Sequence, residues 1–135
     1  MFVLDASIAL AWCLDDETSL SADHALDRLA TDEAVVPAIW PLEVANGLRS
    51  AERRGRITIA DSARVRQLLL SLPIHIEVVD LAAALTEVAD LARTFDLSAY
   101  DAAYLSLAAR RGLPMATADD RLAHACAQAG VGLVG

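Results

Sequence analysis

The chain has 135 residues, of which 56% are hydrophobic, and carries a formal net charge of −8. This length predicts one domain over residues 1–135, and the apolar content excludes a disordered chain. The negative charge argues against a protein that binds nucleic acid by simple electrostatic attraction. All eleven basic residues are arginine, which excludes chemistry that needs a lysine.

Cysteine content and hydropathy give expectations about location and assembly. Cys13 and Cys126 lie far apart without C-x-x-C spacing, which favours buried, reduced thiols. No apolar run is as long as a membrane span, and the apolar start has no basic leader, so we expect a cytoplasmic protein without a membrane anchor. The mean hydropathy of +0.40 indicates more apolar surface than a monomer needs, and a homodimer is expected.

The first predicted element is a short strand over Phe2, Val3 and Leu4. Its residues are all apolar, so both faces of the strand should be buried, as they are inside a parallel sheet. Asp5 follows directly, at the rim where open α/β sheets bind their ligands. The alternative is that Asp5 only caps the next helix.

Helices and strands alternate through the rest of the chain. Further strands are predicted at 34–37, 74–79 and 115–117, with a last edge strand at 132–134. Helices are predicted to begin at Ser7, at Thr18 or Ser19, near Pro41, and at Thr58, Asp80, Ser98 and Asp119. Strands separated by one or two helices predict an α/β fold, with helices on both faces of a central parallel sheet of four to five strands.

Four acids follow the predicted strands: Asp5, Glu43, Asp101 and Asp119. A parallel sheet would bring all four to its carboxyl edge, where their mutual repulsion would raise their pKa values unless a cation is present. Oxygen ligands of this kind suit Mg²⁺ or Mn²⁺. Taken singly, Asp101 and Asp119 could be first-turn helix acids and Glu43 a solvated residue. The apolar neighbours of Glu43 and Asp101 favour a shared pocket.

Four stretches carry a family resemblance: 3–7 (VLDAS), 41–46 (PLEVAN), 97–104 (LSAYDAAY) and 116–122 (ATADDRL). With them the chain resembles PIN-domain proteins and, in size and spacing, the VapC toxins of bacterial toxin–antitoxin pairs. The resemblance implies a PIN-like three-layer α/β/α fold. It also implies an endoribonuclease that depends on Mg²⁺ or Mn²⁺, cuts RNA such as tRNA or rRNA, and is held inactive by a cognate VapB-like antitoxin.

The resemblance also implies roles for individual residues. Asp5, Glu43, Asp101 and Asp119 would be the catalytic acids. Of these, Asp5, Asp101 and Asp119 would hold the metal, and Glu43 would be a further ligand or the base that orients the water. Supporting groups would be Ser7, Asn46 and Thr117. Asp120 is an extra acid, but the spacing Thr-x-Asp-x-x-Leu favours Asp119.

Arginines and aromatic residues admit more than one interpretation. Arg49 and Arg53, in a cluster with Arg54 and Arg56, are candidates for gripping RNA phosphates, or they lie on solvated helix faces. An antitoxin tail packed on the same surface is a further hypothesis. The tryptophans and tyrosines are expected to pack in the core or an interface. A PIN-like module that binds RNA or protein without catalysis is the alternative function.

Overall fold

The computed structural model describes residues 1–14 and 19–135, and a parallel sheet lies at its centre. Among these residues the sheet has four strands, in the order β3-β2-β1-β4. They are β1 (Phe2–Leu4), β2 (Ala34–Pro37), β3 (Ile74–Glu77) and β4 (Met115–Ala116). In the central pairing, Val3 lies opposite Val35 on one side and Met115 on the other. The predicted α/β fold with a central parallel sheet is confirmed.

Helices connect the strands and flank the sheet. They are α1 (Ala6–Cys13), α2 (Leu20–Arg28), α3 (Trp40–Arg53), α4 (Ile59–Ser71), α5 (Leu81–Ala83), α6 (Ala89–Phe95), α7 (Ala99–Arg111) and α8 (Asp120–Ala129). A π-helical segment, Ala84–Val88, joins α5 to α6. Within residues 1–14 and 19–135, no helix is both long and apolar enough to cross a membrane.

The burial of β1 agrees with its sequence. Phe2, Val3 and Leu4 are each 0% exposed, as expected for a strand covered on both faces. Cys13 and Cys126 are buried and free, and burial raises the pKa of each thiol to about 11. Both therefore stay protonated at neutral pH and behave as small apolar residues, as the sequence indicated.

Two sequence-based expectations about element ends are wrong. Ser7 does not cap α1, because the helix begins at Ala6 and the Ser7 hydroxyl is bonded to Asp5. The expected last strand at 132–134 is reduced to a single parallel bridge between Met115 and Leu133. The predicted start of α2 at Thr18 lies outside the described residues. The alternative start, Ser19, caps α2, because its hydroxyl accepts a hydrogen bond from the amide of Ala22.

A glycine lets α3 lie close against α1. A Cβ atom on Gly47 would stand 2.5 Å from Cδ2 of Leu10, well inside van der Waals contact. A larger residue at this point of α3 would push the two helices apart or displace Leu10. This close packing brings the helix that carries Glu43 next to the helix that follows Asp5.

Candidate active site

The strand order places a ligand crevice beside Asp5. The chain passes from β1 outward to β2 and β3, and then returns to the other side of β1 to form β4. The direction of connection therefore reverses between β1 and β4. In open α/β sheets ligands bind at such a reversal, outside the carboxyl ends of the strands. Asp5 follows β1 there, and Thr117 follows β4.

Asp5 is held by two hydroxyl groups. Its carboxylate is only 5% exposed, and its Oδ2 accepts hydrogen bonds from Ser7 Oγ at 2.5 Å and Thr117 Oγ1 at 2.8 Å. Asp5 occupies the position before α1, but its side chain makes no capping bond to the helix. Burial raises the pKa of Asp5 in spite of the hydroxyls, and the charge of Asp119 raises it further.

The same hydroxyls tie Asp5 to the loop after β4. Ser7 Oγ accepts a hydrogen bond from the amide of Ala118 at 2.9 Å. Thr117 Oγ1 accepts one from the amide of Asp119 at 3.0 Å. Thr117 is itself buried. Ser7 and Thr117 thus fix the position of the Asp5 carboxylate relative to the backbone that carries Asp119, and their supporting role in the site stays a prediction.

Asp119 both caps a helix and faces the crevice. Its Oδ1 accepts hydrogen bonds from the amides of Arg121 at 2.9 Å and Leu122 at 3.4 Å, at the start of α8. Both capping bonds use Oδ1, so capping leaves Oδ2 available. Asp119 is half-buried, whereas the neighbouring Asp120 is exposed. The structure thus places Asp119 partly out of solvent and Asp120 in solvent, and the choice of Asp119 as the site residue stays a prediction.

Asp101 lies in the first turn of α7. Its amide donates to Ser98 Oγ at 3.1 Å, so the predicted Ser98 cap is present. The Asp101 carboxyl is half-buried. Burial raises its pKa most, the charges of Asp5 and Asp119 raise it further, and Arg121 partly offsets the effect. Asp101 is therefore a first-turn acid of α7 and also lies near the other acids.

Glu43 is positioned by Tyr104, which the sequence indicated only as a core or interface residue. The hydroxyl of Tyr104 donates to Glu43 Oε1 at 2.6 Å, joining α7 to α3. Burial raises the pKa of Glu43, and the charges of Asp5 and Asp101 add to the shift. Tyr104 is 0% exposed, and burial together with Glu43 raises the pKa of its phenol, so it remains a donor. The sequence signal for Tyr104 was its position three residues after Asp101, which places both residues on the same face of α7.

The four acids form one electrostatic unit, which we name the acid cluster: Asp5, Glu43, Asp101 and Asp119. The pKa of each of the first three is raised by the charge of at least one other member. Within residues 1–14 and 19–135, no three His, Cys, Asp or Glu side chains are arranged to hold a metal ion directly. The donor set nevertheless fits Mg²⁺ or Mn²⁺, because Mg²⁺ is usually held by one or two carboxylates and keeps several waters.

The other predicted contact residues lie along α3 beyond Glu43. Asn46 is exposed, one helical turn after Glu43. Arg49 is exposed and pairs with Glu52 at 3.5 Å. Arg53 is exposed, and its side chain makes no ion pair within the described part of the chain. RNA binding by Arg49 and Arg53 stays a prediction.

Comparison with known proteins identifies the fold that carries this site. The PIN domain family model matches residues 2–128. The chain belongs to the PIN-domain family. This PIN domain is 36% identical over 123 residues to a VapC ribonuclease of Mycobacterium bovis and to Ribonuclease VapC9 of Mycobacterium tuberculosis, covering 90% of this chain and 88% of each relative. The resemblance seen in the sequence is confirmed.

Two solved structures share the PIN fold. PAE2754 of Pyrobaculum aerophilum has a TM-score of 0.66 and 23% identity, covering 92% of this chain and 83% of the other. VapC20 of Mycobacterium tuberculosis, described as a Sarcin-Ricin loop cleaving toxin, has a TM-score of 0.63 and 15% identity, covering 93% and 95%. At these identities the likeness concerns the fold, and the PIN-like three-layer architecture expected from the sequence is confirmed.

Proposed function

We propose that this protein is a metal-dependent endoribonuclease that hydrolyses RNA phosphodiester bonds and acts as the toxin of a toxin–antitoxin pair. The observation that carries the proposal is the acid cluster, gathered from four separate segments at the carboxyl edge of a PIN-domain sheet. Similarity to VapC ribonucleases favours an enzyme over the non-catalytic binding module. Buried carboxylates that oppose one another's ionisation destabilise a fold, and such groups concentrate where chemistry requires them.

Asp5, Asp101 and Asp119 would hold Mg²⁺ or Mn²⁺, with one or two of these carboxylates bound directly and the rest bound through waters of the ion. When bound, such an ion offsets the negative charge of the reacting phosphate and lowers the pKa of the attacking water. Ser7 and Thr117 fix Asp5 through its Oδ2, so this carboxylate is already oriented before substrate arrives. Asp119 is fixed in turn by its bonds to the start of α8.

Glu43 is our candidate for the base that orients the attacking water, with direct metal ligation as the alternative role. Burial and the neighbouring acids raise its pKa, which brings it closer to the working pH and makes it a better proton acceptor. The Tyr104 hydroxyl holds one carboxylate oxygen, Oε1, and thereby sets the direction of the other. We therefore expect Tyr104 to act as a positioning residue.

The Tyr104→Phe variant tests this positioning. We expect kcat to fall about tenfold, the scale typical of lost orienting partners, while the fold loses only about 1 kcal/mol. The Tyr104 hydrogen bond lowers the pKa of Glu43. Its loss should therefore shift the acidic limb of the pH–kcat profile to higher pH. Steady-state cleavage of a labelled RNA across pH 5–8 measures both effects.

Tyr100→Phe is the matched control, because Tyr100 lies on the same helix and is 61% exposed. It should leave kcat and the pH profile unchanged. An unshifted acidic limb in Tyr104→Phe, or equal effects in the two variants, would contradict the positioning role.

Turnover separates the enzyme from a binding module. Purified protein is incubated with a tenfold excess of total bacterial RNA in Mg²⁺ or in EDTA, and the fragments are resolved by sequencing gel. We expect discrete fragments to accumulate beyond one per protein molecule in Mg²⁺ and to be absent in EDTA. A mobility shift of intact RNA without fragments would favour the binding module.

We also propose two protein partners. Exposed apolar side chains on α4, including Ile59 and Leu70, support a VapB-like antitoxin docked on the surface of α3 and α4.

Val78 and Tyr100 line an apolar cavity of about 260 Å³, and Leu81 and Leu85 are exposed on the helices that follow Val78. This second patch supports the expected homodimer. The RNA substrate would be a tRNA or rRNA of the cytoplasm.

A further inference from the structure

A cavity of about 350 Å³ adjoins the acid cluster on the side of α1 and α3. Residues that matter for its chemistry are Ser7, Gly47, Ser50, Arg54, Arg56 and Ala118. They combine hydroxyl groups, a backbone exposed by a glycine and two guanidinium groups. This composition differs from the acid cluster next to it and suits an anion.

One side chain separates this cavity from Asp5. Ser7 lines the cavity, and its hydroxyl donates to Asp5 Oδ2 at 2.5 Å. Ala118 also lines the cavity and donates its amide to the Ser7 hydroxyl. An RNA strand whose reacting phosphate lies at the acid cluster would therefore place a neighbouring phosphate near the cavity mouth.

Arg54 contributes an exposed guanidinium group at this position. Ion pairs between residues that the structure describes engage Arg28, Arg49, Arg64, Arg93, Arg110, Arg111 and Arg121. In the part of the chain that the structure describes, the Arg54 side chain makes no ion pair or hydrogen bond. Arg54 is thus an exposed cation that has no partner among the described residues, in a protein of net charge −8.

Gly47 lines the cavity between the two helices. A Cβ atom there would meet the side chain of Leu10, which also lines the cavity. About two turns beyond Gly47 lies Arg54, which follows directly after the last residue of α3, Arg53. The cavity, its cation and its contact with Ser7 thus come from one local arrangement of α1 and α3.

We propose that this cavity is a phosphate subsite, in which Arg54 binds a backbone phosphate of the RNA next to the one that is cleaved. The inference rests on the proposed nuclease function and names a residue that positions its substrate. The acid cluster repels a polyanion, so RNA binding requires cations just outside the cluster. A guanidinium group supplies a fork of donors that matches two phosphate oxygens.

Arg54→Gln tests the subsite, with Arg66→Gln as matched control. Arg66 is likewise exposed and without an ion pair among the described residues, but it lies on α4 outside this cavity. The probe is a fluorescein-labelled RNA oligonucleotide that spans a site mapped by wild-type cleavage of total bacterial RNA. Initial rates are measured from 50 to 300 mM salt.

We expect Arg54→Gln to raise KM about five- to tenfold with little change in kcat, since contact with a non-reacting phosphate contributes equally to ground-state and transition-state binding. The slope of log kcat/KM against log salt should become shallower by about 0.7, the share of one phosphate contact on a single strand. Arg54→Lys should restore part of the affinity, and Arg66→Gln should match wild type.

Equal KM and equal salt slopes in Arg54→Gln and Arg66→Gln would overturn the subsite, even if the wild type is a nuclease. Unchanged cleavage with loss of antitoxin binding in Arg54→Gln would also overturn it and assign the cavity to a protein partner. If the wild type cuts no RNA, the proposed function fails separately. Fluorescence anisotropy of the same protein variants with a labelled random-sequence RNA then decides the subsite by whether Arg54→Gln alone weakens binding.

Discussion

Replacing Asp5 with asparagine is expected to abolish RNA cleavage and, at the same time, to stabilise the folded protein. Asp5 is nearly fully buried, and burial is the largest cause of its raised pKa. Asparagine keeps an oxygen that can accept from the Ser7 and Thr117 hydroxyls but removes the buried charge. We expect kcat to fall by at least about 10²-fold and the free energy of unfolding at pH 7 to rise by about 1–2 kcal/mol.

The stabilisation should depend on pH with a definite sign. The pKa of Asp5 in the folded protein is above its ordinary value of 3.8. The stability that the neutral Asp5 carboxyl contributes to the fold is therefore fully present below pH 3.8. It is lost as pH rises through the pKa of Asp5 in the folded protein. Urea unfolding of wild type and Asp5→Asn between pH 4 and pH 7 should show a difference that grows with pH.

Asp120→Asn is the control for both effects, because Asp120 is an exposed acid at the same edge of the fold. It should change neither cleavage nor the pH dependence of stability. An Asp5→Asn protein that cleaves at the wild-type rate would remove Asp5 from the mechanism. One that is less stable than wild type at pH 7 would show that the Asp5 charge is compensated in the fold.

Divalent cations are expected to stabilise the wild-type protein, and their removal should end cleavage. Burial raises the pKa values of Asp5 and Asp101 most, and repulsion by neighbouring acids raises them further. A cation among Asp5, Asp101 and Asp119 would relieve that repulsion. At a Mg²⁺ concentration ten times the dissociation constant, stabilisation is about 1.4 kcal/mol. For a chain of this length that corresponds to a rise in Tm of roughly 5 °C.

Thermal unfolding with Mg²⁺, Mn²⁺ or EDTA measures this effect without any RNA. Asp5→Asn should lose most of the rise in Tm, because one member of the cluster no longer carries charge, while Asp120→Asn should keep it. An equal rise in all three proteins would mean that the cation acts elsewhere on the acidic surface. Full RNA cleavage in EDTA would contradict a metal-dependent mechanism outright.

The parts of the site that could be predicted depend on local pattern and sheet topology. The uninterrupted apolar run before Asp5 predicted a buried parallel strand, and parallel strands bring their following residues to one edge. The spacing from Thr117 to Leu122 favoured Asp119 over Asp120, and this choice stays a prediction; in the structure Asp119 is half-buried and Asp120 is exposed.

The parts that could not be predicted depend on how helices are rotated against one another. Tyr104 on α7 donates to Glu43 on α3, 61 residues away in sequence, and no pattern within either helix indicates this contact. Arg54 lines the cavity beside Ser7 and Arg53 does not, although they are adjacent in sequence, because one residue turns the side chain by about 100° around a helix. The Ser7 hydroxyl donates to Asp5, two residues earlier, and accepts from the amide of Ala118. The bond to Ala118 is tertiary, and no local rule anticipates it.

Cleavage of total RNA by wild type, Asp101→Asn and Asp120→Asn in Mg²⁺ is the most direct test of the acid cluster as a nuclease centre. Asp101 is half-buried, and the charges of Asp5 and Asp119 raise its pKa, whereas Asp120 is exposed. We predict the same discrete fragments from wild type and Asp120→Asn, and none from Asp101→Asn or from wild type in EDTA. Cleavage by Asp101→Asn at the wild-type rate would contradict this assignment of the catalytic acids.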